Sequence, residues 1–222
     1  MPPTATIEDI KAYQGKVEKG QITAQNMPPC PRCKVEARNF KIHAYRERCF
    51  LVIVEMIVQP CYCPLVRFRC LLCGKTFTFY PDFAIPHKRY TRQSVMGFAE
   101  NYVAYADTTY QQAVMVKEEK STPGYPDGER TLAPSTLHRW ITRLSGLLNT
   151  AQNALGLIRQ ENPASSICSD LAQLTIPRSK YRSQTRKETL LSCFRLLLIE
   201  ALFKATFQVS IFTKLATICT FT

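Results

Sequence analysis

Apolar and polar positions change period along this chain, and the changes mark its parts. Phe40-Lys41-Ile42-His43-Ala44-Tyr45 largely alternates, as a half-buried strand does. Cys49 to Val58 is nearly continuously apolar and β-branched, which predicts a buried strand ended by Pro60. Leu65 to Cys70 alternates again, with Arg67 and Arg69 two apart and so on one face, and Thr76 to Tyr80 predicts a further strand. The period then lengthens. Val95, Phe98, Ala99, Tyr102 and Val103 recur at helical spacing, predicting one helix over 92–106. A second, short helix is expected from Tyr110 to Val116, with Thr108 or Thr109 as its cap. Residues 117–130, charged and rich in Pro and Gly, read as a loop.

Pro134 suits the first position of a third helix, whose apolar stripe runs through Leu137, Trp140, Ile141, Leu144, Leu147, Leu148, Ala151, Leu155 and Ile158. Asn162-Pro163 breaks it. From Glu188 onward the chain is strongly apolar but interrupted by Arg195, Glu200, Lys204 and Lys214, with Glu200 and Lys204 at i,i+4 pairing distance. A buried or partner-binding helix is expected there, and no membrane span. The resulting fold class is α+β: a small antiparallel ribbon, then a mostly helical region and a C-terminal apolar helix. The expected divisions are a poorly ordered leader over 1–26, a ribbon over 27–86, a helix-turn-helix-like domain over 87–160, a basic linker over 161–187 and the apolar helix over 188–222. Thr6 to Val17 has the makings of a short helix, but Gly15 and Gly20 weaken it.

Cysteines sharpen this picture. Cys30-Pro31-Arg32-Cys33 opens the ribbon and Cys70-Leu71-Leu72-Cys73-Gly74-Lys75 closes it. Each Cys-x-x-Cys turn aims two sulfurs at one point, and four thiolates complete a tetrahedral shell for Zn²⁺. Arg32, Lys34 and Lys75 in or beside the turns favour thiolate over thiol. The 36 residues between Cys33 and Cys70 exceed the roughly 15–20 of common zinc patterns, so the hairpin is enlarged. Within it Cys61-x-Cys63 offers an alternative ligand pair; the outer pairs are preferred because they alone have knuckle spacing. Cys49, inside an apolar run, is expected to pack. The start of the chain has no basic segment leading into an apolar one, so the ten cysteines point to metal and a reducing cytoplasm.

Charge adds a partner. The formal net charge is +12, and Cys30 to Arg92 carries twelve basic residues against four acids, a surplus of eight. That concentration favours nucleic acid. On the third helix Ser135, Thr136, His138, Arg139, Thr142 and Arg143 lie opposite the apolar stripe, the short polar and basic set that a recognition helix needs near its N-terminal end. The expected double-stranded DNA contacts are Arg67, Arg69 and Lys75 on the ribbon and Ser135, Thr136, His138, Arg139 and Arg143 on the helix. Pro177 to Lys187 has five basic residues and no acid, suiting either phosphate contact or a solvated linker.

Cys30-Pro31-x-Cys33, the basic-aromatic run Arg67-Phe68-Arg69 and Cys70-x-x-Cys73-Gly74-x-Thr76-Phe77, followed by the Ser-Thr-Leu-His-Arg-Trp helix, resemble bacterial transposon-associated zinc-ribbon proteins. The resemblance covers Cys30 to about Leu148. It implies DNA binding at element ends with zinc holding the ribbon, as in the amino-terminal modules of insertion-sequence transposases and their regulatory partners. Past Trp140 the acids are Glu161, Asp170, Glu188 and Glu200, none at the end of a clear alternating strand, so no catalytic residues are expected. The expectation is therefore a non-catalytic, nucleoid-associated DNA-binding protein of the cytoplasm. The alternatives are a transposase or transposase fragment carrying out strand transfer, and a protein-interaction adaptor. The C-terminal helix is the expected surface for a homo-oligomer or partner protein.

Overall fold

The structure, a computed structural model, describes residues 7–27, 29–30, 32–54, 57–114 and 132–215. The loop expected at 117–130 lies outside the described residues. A three-stranded antiparallel sheet is followed by a helical assembly, and each has its own buried cluster.

The sheet is simpler than its sequence suggests. Strand β1 spans Phe40–Val54 and pairs with β2, Ile57–Cys70, from Phe40 opposite Cys70 to Val54 opposite Ile57, with one register shift between Ile42 and Ala44. The apolar run from Cys49 to Val58 is thus the end of one strand and the start of the next. Strand β3, Thr76–Thr78, adds to the far side of β2 opposite Arg67 to Arg69. Pro60 does not end a strand: it lies inside β2 opposite Leu51, as Pro64 lies opposite Glu47. The reason is parity. Even-numbered residues of β2 turn their backbone groups away from β1: the Val66 carbonyl accepts from Phe79 N, and the Tyr62 carbonyl from the Gln14 side chain. Prolines at 60 and 64 therefore lack a donor only on the open side, where β3 does not reach.

The expected disordered leader is corrected from residue 7 onward. Helix α1, Ile7–Glu18, buries Ile10, Tyr13 and Val17 from one face and packs against β2. Tyr13 meets Phe83 edge-on at 5.8 Å and stacks on Phe79 at 6.3 Å. Gly15 lies inside the helix, which forms despite it; a Cβ there would meet nothing within 4 Å. Gly20 ends the helix rather than weakening it: its φ of +64° lets Gln21 N donate to Lys16 O at 2.9 Å, a glycine C-terminal stop.

The helical half opens with α2, Arg92–Ala104, α3, Tyr110–Val114, and α4, Pro134–Ser145, which pack on one another. Thr109 caps α3 reciprocally: its hydroxyl accepts from Gln112 N at 3.1 Å while the Gln112 side chain accepts from Thr109 N at 2.8 Å. The single long third helix is corrected to two. Gly146 and Leu147 interrupt it, and α5, Leu148–Glu161, restarts in a new direction of burial, leaving Leu148 exposed and hiding Ala154 and Ile158.

The basic linker is also corrected. It contains α6, Ile167–Gln173, and buries Ile167, Leu171 and Ile176 in the helical core. Two of its cations turn inward, while Arg178 and Arg182 stay exposed. The Lys180 ammonium donates to the Thr108 carbonyl and sits 4.4 Å from the Tyr102 ring, and the Arg186 guanidinium sits 5.6 Å from that of Tyr110. Helix α7, Gln184–Phe207, then runs against α2, α4 and α5 and buries Leu190, Cys193, Leu196, Leu197, Ile199 and Phe203; α8, Ile211–Lys214, folds back on it. Among the described residues no helix is long and apolar enough to cross a membrane.

Two joints connect the halves. Ile53 and Val58, near the tip of the hairpin, belong to the helical core, and Leu51 exchanges backbone hydrogen bonds with Arg89 and Thr91. The second joint is ionic. Buried Arg92 donates to Glu200 Oε1 at 2.9 Å and to Asp82 Oδ2 at 3.2 Å. Lys204 reaches Asp82 Oδ2 at 3.0 Å, while Ser210 N and Ile211 N donate to Asp82 and Glu200. Glu200 and Lys204, at i,i+4 pairing distance, instead pair with different partners, Arg92 and Asp82.

Candidate metal centre and the basic faces around it

The two Cys-x-x-Cys turns share one backbone design. Lys34 N donates to Cys30 O at 2.8 Å and Cys30 N to Val35 O at 2.9 Å; Gly74 N donates to Cys70 O and Cys70 N to Lys75 O, both at 2.9 Å. In each turn the residue after the second cysteine is left-handed, Lys34 at φ +60° and Gly74 at +71°. Sequence distance hides this equivalence; the hydrogen bonds expose it. The register that sets Phe40 opposite Cys70 brings the turns together.

The outcome is a group of four sulfurs. Cys30, Cys33, Cys70 and Cys73 place Sγ atoms within 4.8 Å of one another. Cys30 and Cys73 are 3.5 Å apart and Cys33 and Cys70 3.6 Å apart, so each contact crosses between turns. A tetrahedral ion with sulfur bonds of about 2.3 Å needs sulfurs about 3.8 Å apart, so the four residues fit a metal ion. Cys30 and Cys70 are buried and Cys33 and Cys73 half-buried.

Electrostatics point the same way. Burial alone would raise the Cys30 thiol, but the N–H groups of Cys33 and Arg32 and the thiols of Cys73 and Cys33 bring it down to about 7. At Cys33 the Val35 N–H favours the thiolate, yet burial and the three neighbouring sulfurs outweigh it and raise the thiol to about 12. One thiolate forms readily and suppresses the next; a cation at the centre relieves that repulsion. Among the described residues this is the one set of three or more metal-ligating side chains that converges. Cys61 and Cys63 stand apart from it. Burial pushes the Cys63 thiol up to about 12, with Cys61 adding to it, and burial also raises Cys61.

The register also gathers cations. Lys41 lies opposite Arg69, and Arg69 opposite Thr76; Ala44 lies opposite Arg67, and Arg67 opposite Thr78. Directly paired residues share a sheet face, so Lys41, Arg67, Arg69, Thr76 and Thr78 form one polar, basic face. The Arg67 guanidinium donates to the Thr76 hydroxyl at 3.0 Å, which fixes it on that face. Phe40, Phe68 and Phe77 fill the other, with Phe40 and Phe77 edge-on at 4.7 Å. Lys75 is exposed in the second turn.

On α4 the periodic reading is followed closely. Leu137, Trp140, Ile141 and Leu144 are buried, while Ser135, His138, Arg139, Thr142 and Arg143 are exposed and Thr136 is half-buried. His138 leans edge-on against Tyr110 at 5.7 Å, and its carbonyl accepts from Thr142. A further group of cations, Arg48, His87 and Lys88, has Arg143 in its environment. No local pattern signals it, since it draws on β1, the 81–91 connector and α4. Comparison with protein-family models, curated proteins and solved structures finds no match for this chain.

Proposed function

We propose that this chain is a zinc-stabilised DNA-binding protein of the transposon-associated zinc-ribbon kind, non-catalytic on its own and acting at the nucleoid in the cytoplasm. Zn²⁺ is the ion of choice for four thiolates, which are soft ligands without a site for water or substrate. Its part is structural: the ion ties the ribbon turns together, and the chain's own cations meet the DNA.

The observation that carries the proposal is the pairing of Lys41, Arg67 and Arg69 on one face of the strands that the cysteines clamp. A basic, hydroxyl-bearing surface suits phosphate oxygens, which position a protein on a duplex. The exposed face of α4 supplies side chains of the type that reads base edges, with Arg139 and Arg143 as the cations.

The test is duplex binding by the metal-loaded chain, measured by fluorescence anisotropy across salt concentrations. Log K should fall with log salt at about −0.9 per phosphate neutralised. Arg69→Ala should lower that slope by about one contact, and Arg139→Ala should weaken binding by about 1–3 kcal/mol where it meets a base. A flat salt response overturns the reading, and divalent-metal-dependent strand transfer on element-end DNA would replace it with a transposase. Metal analysis should give one zinc per chain, lost in Cys33→Ser.

A further inference from the structure

The second cysteine turn holds up an apolar tip. Leu71 and Leu72, between Cys70 and Cys73, keep 56% and 69% of their surface exposed. Polar residues ordinarily fill the middle of a tight turn. Two adjacent leucines there offer apolar surface that the fold itself does not use. The tip is also held. Leu71 N donates to Asn39 O at 3.0 Å, and Gly74 N closes the turn on Cys70 O at 2.9 Å. With the sulfurs of Cys70 and Cys73 drawn to those of Cys30 and Cys33, its base is fixed.

Cations flank the tip. Arg32 and Lys34 belong to the first turn and Lys75 follows the second, and sulfur contacts of 3.5 and 3.6 Å between the turns bring these segments together. Lys41 and Arg69 stand opposite each other, one pair along from Phe40 and Cys70. All five are exposed, and among the described residues none forms an ion pair. Over 30–41 and 69–78 the sequence has one acid, Glu36, and Arg38 engages it at 3.1 Å.

Apolar and cationic groups side by side suit a polyanion with apolar surface inside it. A duplex is one: phosphates line its grooves, and its base steps part to admit leucine from the minor groove. An anionic membrane shares this chemistry, but it is a plane that the turn meets end on. The cations here continue back along the strands to Arg67, two residues behind Arg69 and so about 7 Å away. A row along a strand fits a linear polyanion better than a plane.

We propose that Leu71 and Leu72 form a wedge that enters the minor groove and parts a base step, with Arg32, Lys34 and Lys75 on the flanking phosphates. This rests on the DNA-binding reading and deepens it: the cysteine turns aim the wedge, and the duplex is kinked where it enters.

The test uses the metal-loaded full chain, a duplex labelled at both ends for energy transfer, and two variants: Leu71→Gln with Leu72→Gln, and Lys75→Gln. All three side chains are exposed, and metal content with circular dichroism verifies folding. The parent should bend the duplex, read as a rise in energy transfer at saturation. The double leucine variant should bind about tenfold more weakly at every salt concentration, the effect of withdrawing leucine from an apolar site. Its slope of log K against log salt should match the parent's, and the rise in energy transfer should be lost. Lys75→Gln should do the reverse, lowering the slope by about 0.9 while the bend remains. If the parent binds without bending, or the leucine variant binds and bends as the parent does, the wedge is wrong and the DNA reading survives. If the parent ignores the duplex, both readings fall; flotation with phosphatidylserine vesicles that the leucine variant loses would then make the tip a membrane contact.

Discussion

The ribbon and the helical half bury their residues under different constraints. Around the hairpin the core is thin and aromatic: Tyr13, Phe40, Phe50, Phe68 and Phe83 meet mostly edge-on, and one end is closed by sulfur. Much of β1 from Lys41 to Glu47 remains exposed. In the helical half α7 has helices along several sides, and aliphatic residues fill the space between. Its buried Arg92 and Glu200 pair with each other. A small sheet cannot remove enough apolar surface from water to fix itself, whereas a helix surrounded by neighbours can. The four cysteines, which could hold a metal ion, thus lie where burial is scarce.

The largest effect should come from stripping the metal. Structural zinc is worth on the order of 10–16 kcal/mol in finger peptides. Chelation or Cys33→Ser should abolish amide protection in β1 and β2 while the helical half keeps most of its far-ultraviolet signal. Loss of both together would show that the halves are not separable. Next in size is the ionic joint. Arg92→Met leaves Glu200 buried without its cation and should cost about 3–5 kcal/mol, read as a lower melting temperature of the helical half with metal content unchanged.

Asp82 sharpens the same contrast through pH. Burial raises its carboxyl, but Arg92, Lys204 and the Ser210 N–H outweigh burial and hold it below its ordinary value. Its contribution is therefore present above the unfolded value of about 3.9 and is lost as pH falls through the lower folded value. Asp82→Asn should flatten the acid limb of the helical transition. The smallest effects belong to the turns. Lys34→Gly should steady the ribbon by about 1 kcal/mol and Gly74→Ala should weaken it by about 1–2 kcal/mol, because only glycine is at ease at positive φ. Added bulk is not the reason at Gly74, where a Cβ would meet its nearest atom, Arg69 Nη2, at 3.7 Å.

What could be read from the residues alone follows how local the signal is. The paired Cys-x-x-Cys turns and the stripe of Leu137, Trp140, Ile141 and Leu144 are spacing rules, and they were legible. The single long hairpin was not, since Pro60 and Pro64 look like breakers until one knows which edge of β2 is open. Gly20 misled for the same reason: a glycine that stops a helix and one that spoils it are the same letter. The cations of 177–187 read as either phosphate contacts or a solvated linker, because only the fold reveals Tyr102 and Tyr110 beside Lys180 and Arg186. The group of Arg48, His87 and Lys88 has no sequence signature, being assembled from distant segments.

One pair of strands runs from the sulfur group into the helical core, and so works as a calliper. Its jaws are the cysteine turns and α4, and its setting is the number of cross-strand pairs. Removing two residues from each strand would draw the jaws together by about 7 Å while preserving which side chains face which way. Removing one from each would turn the faces over. Hairpin length is therefore a specification of how far apart, along any molecule that both ends grip, the points of contact must fall.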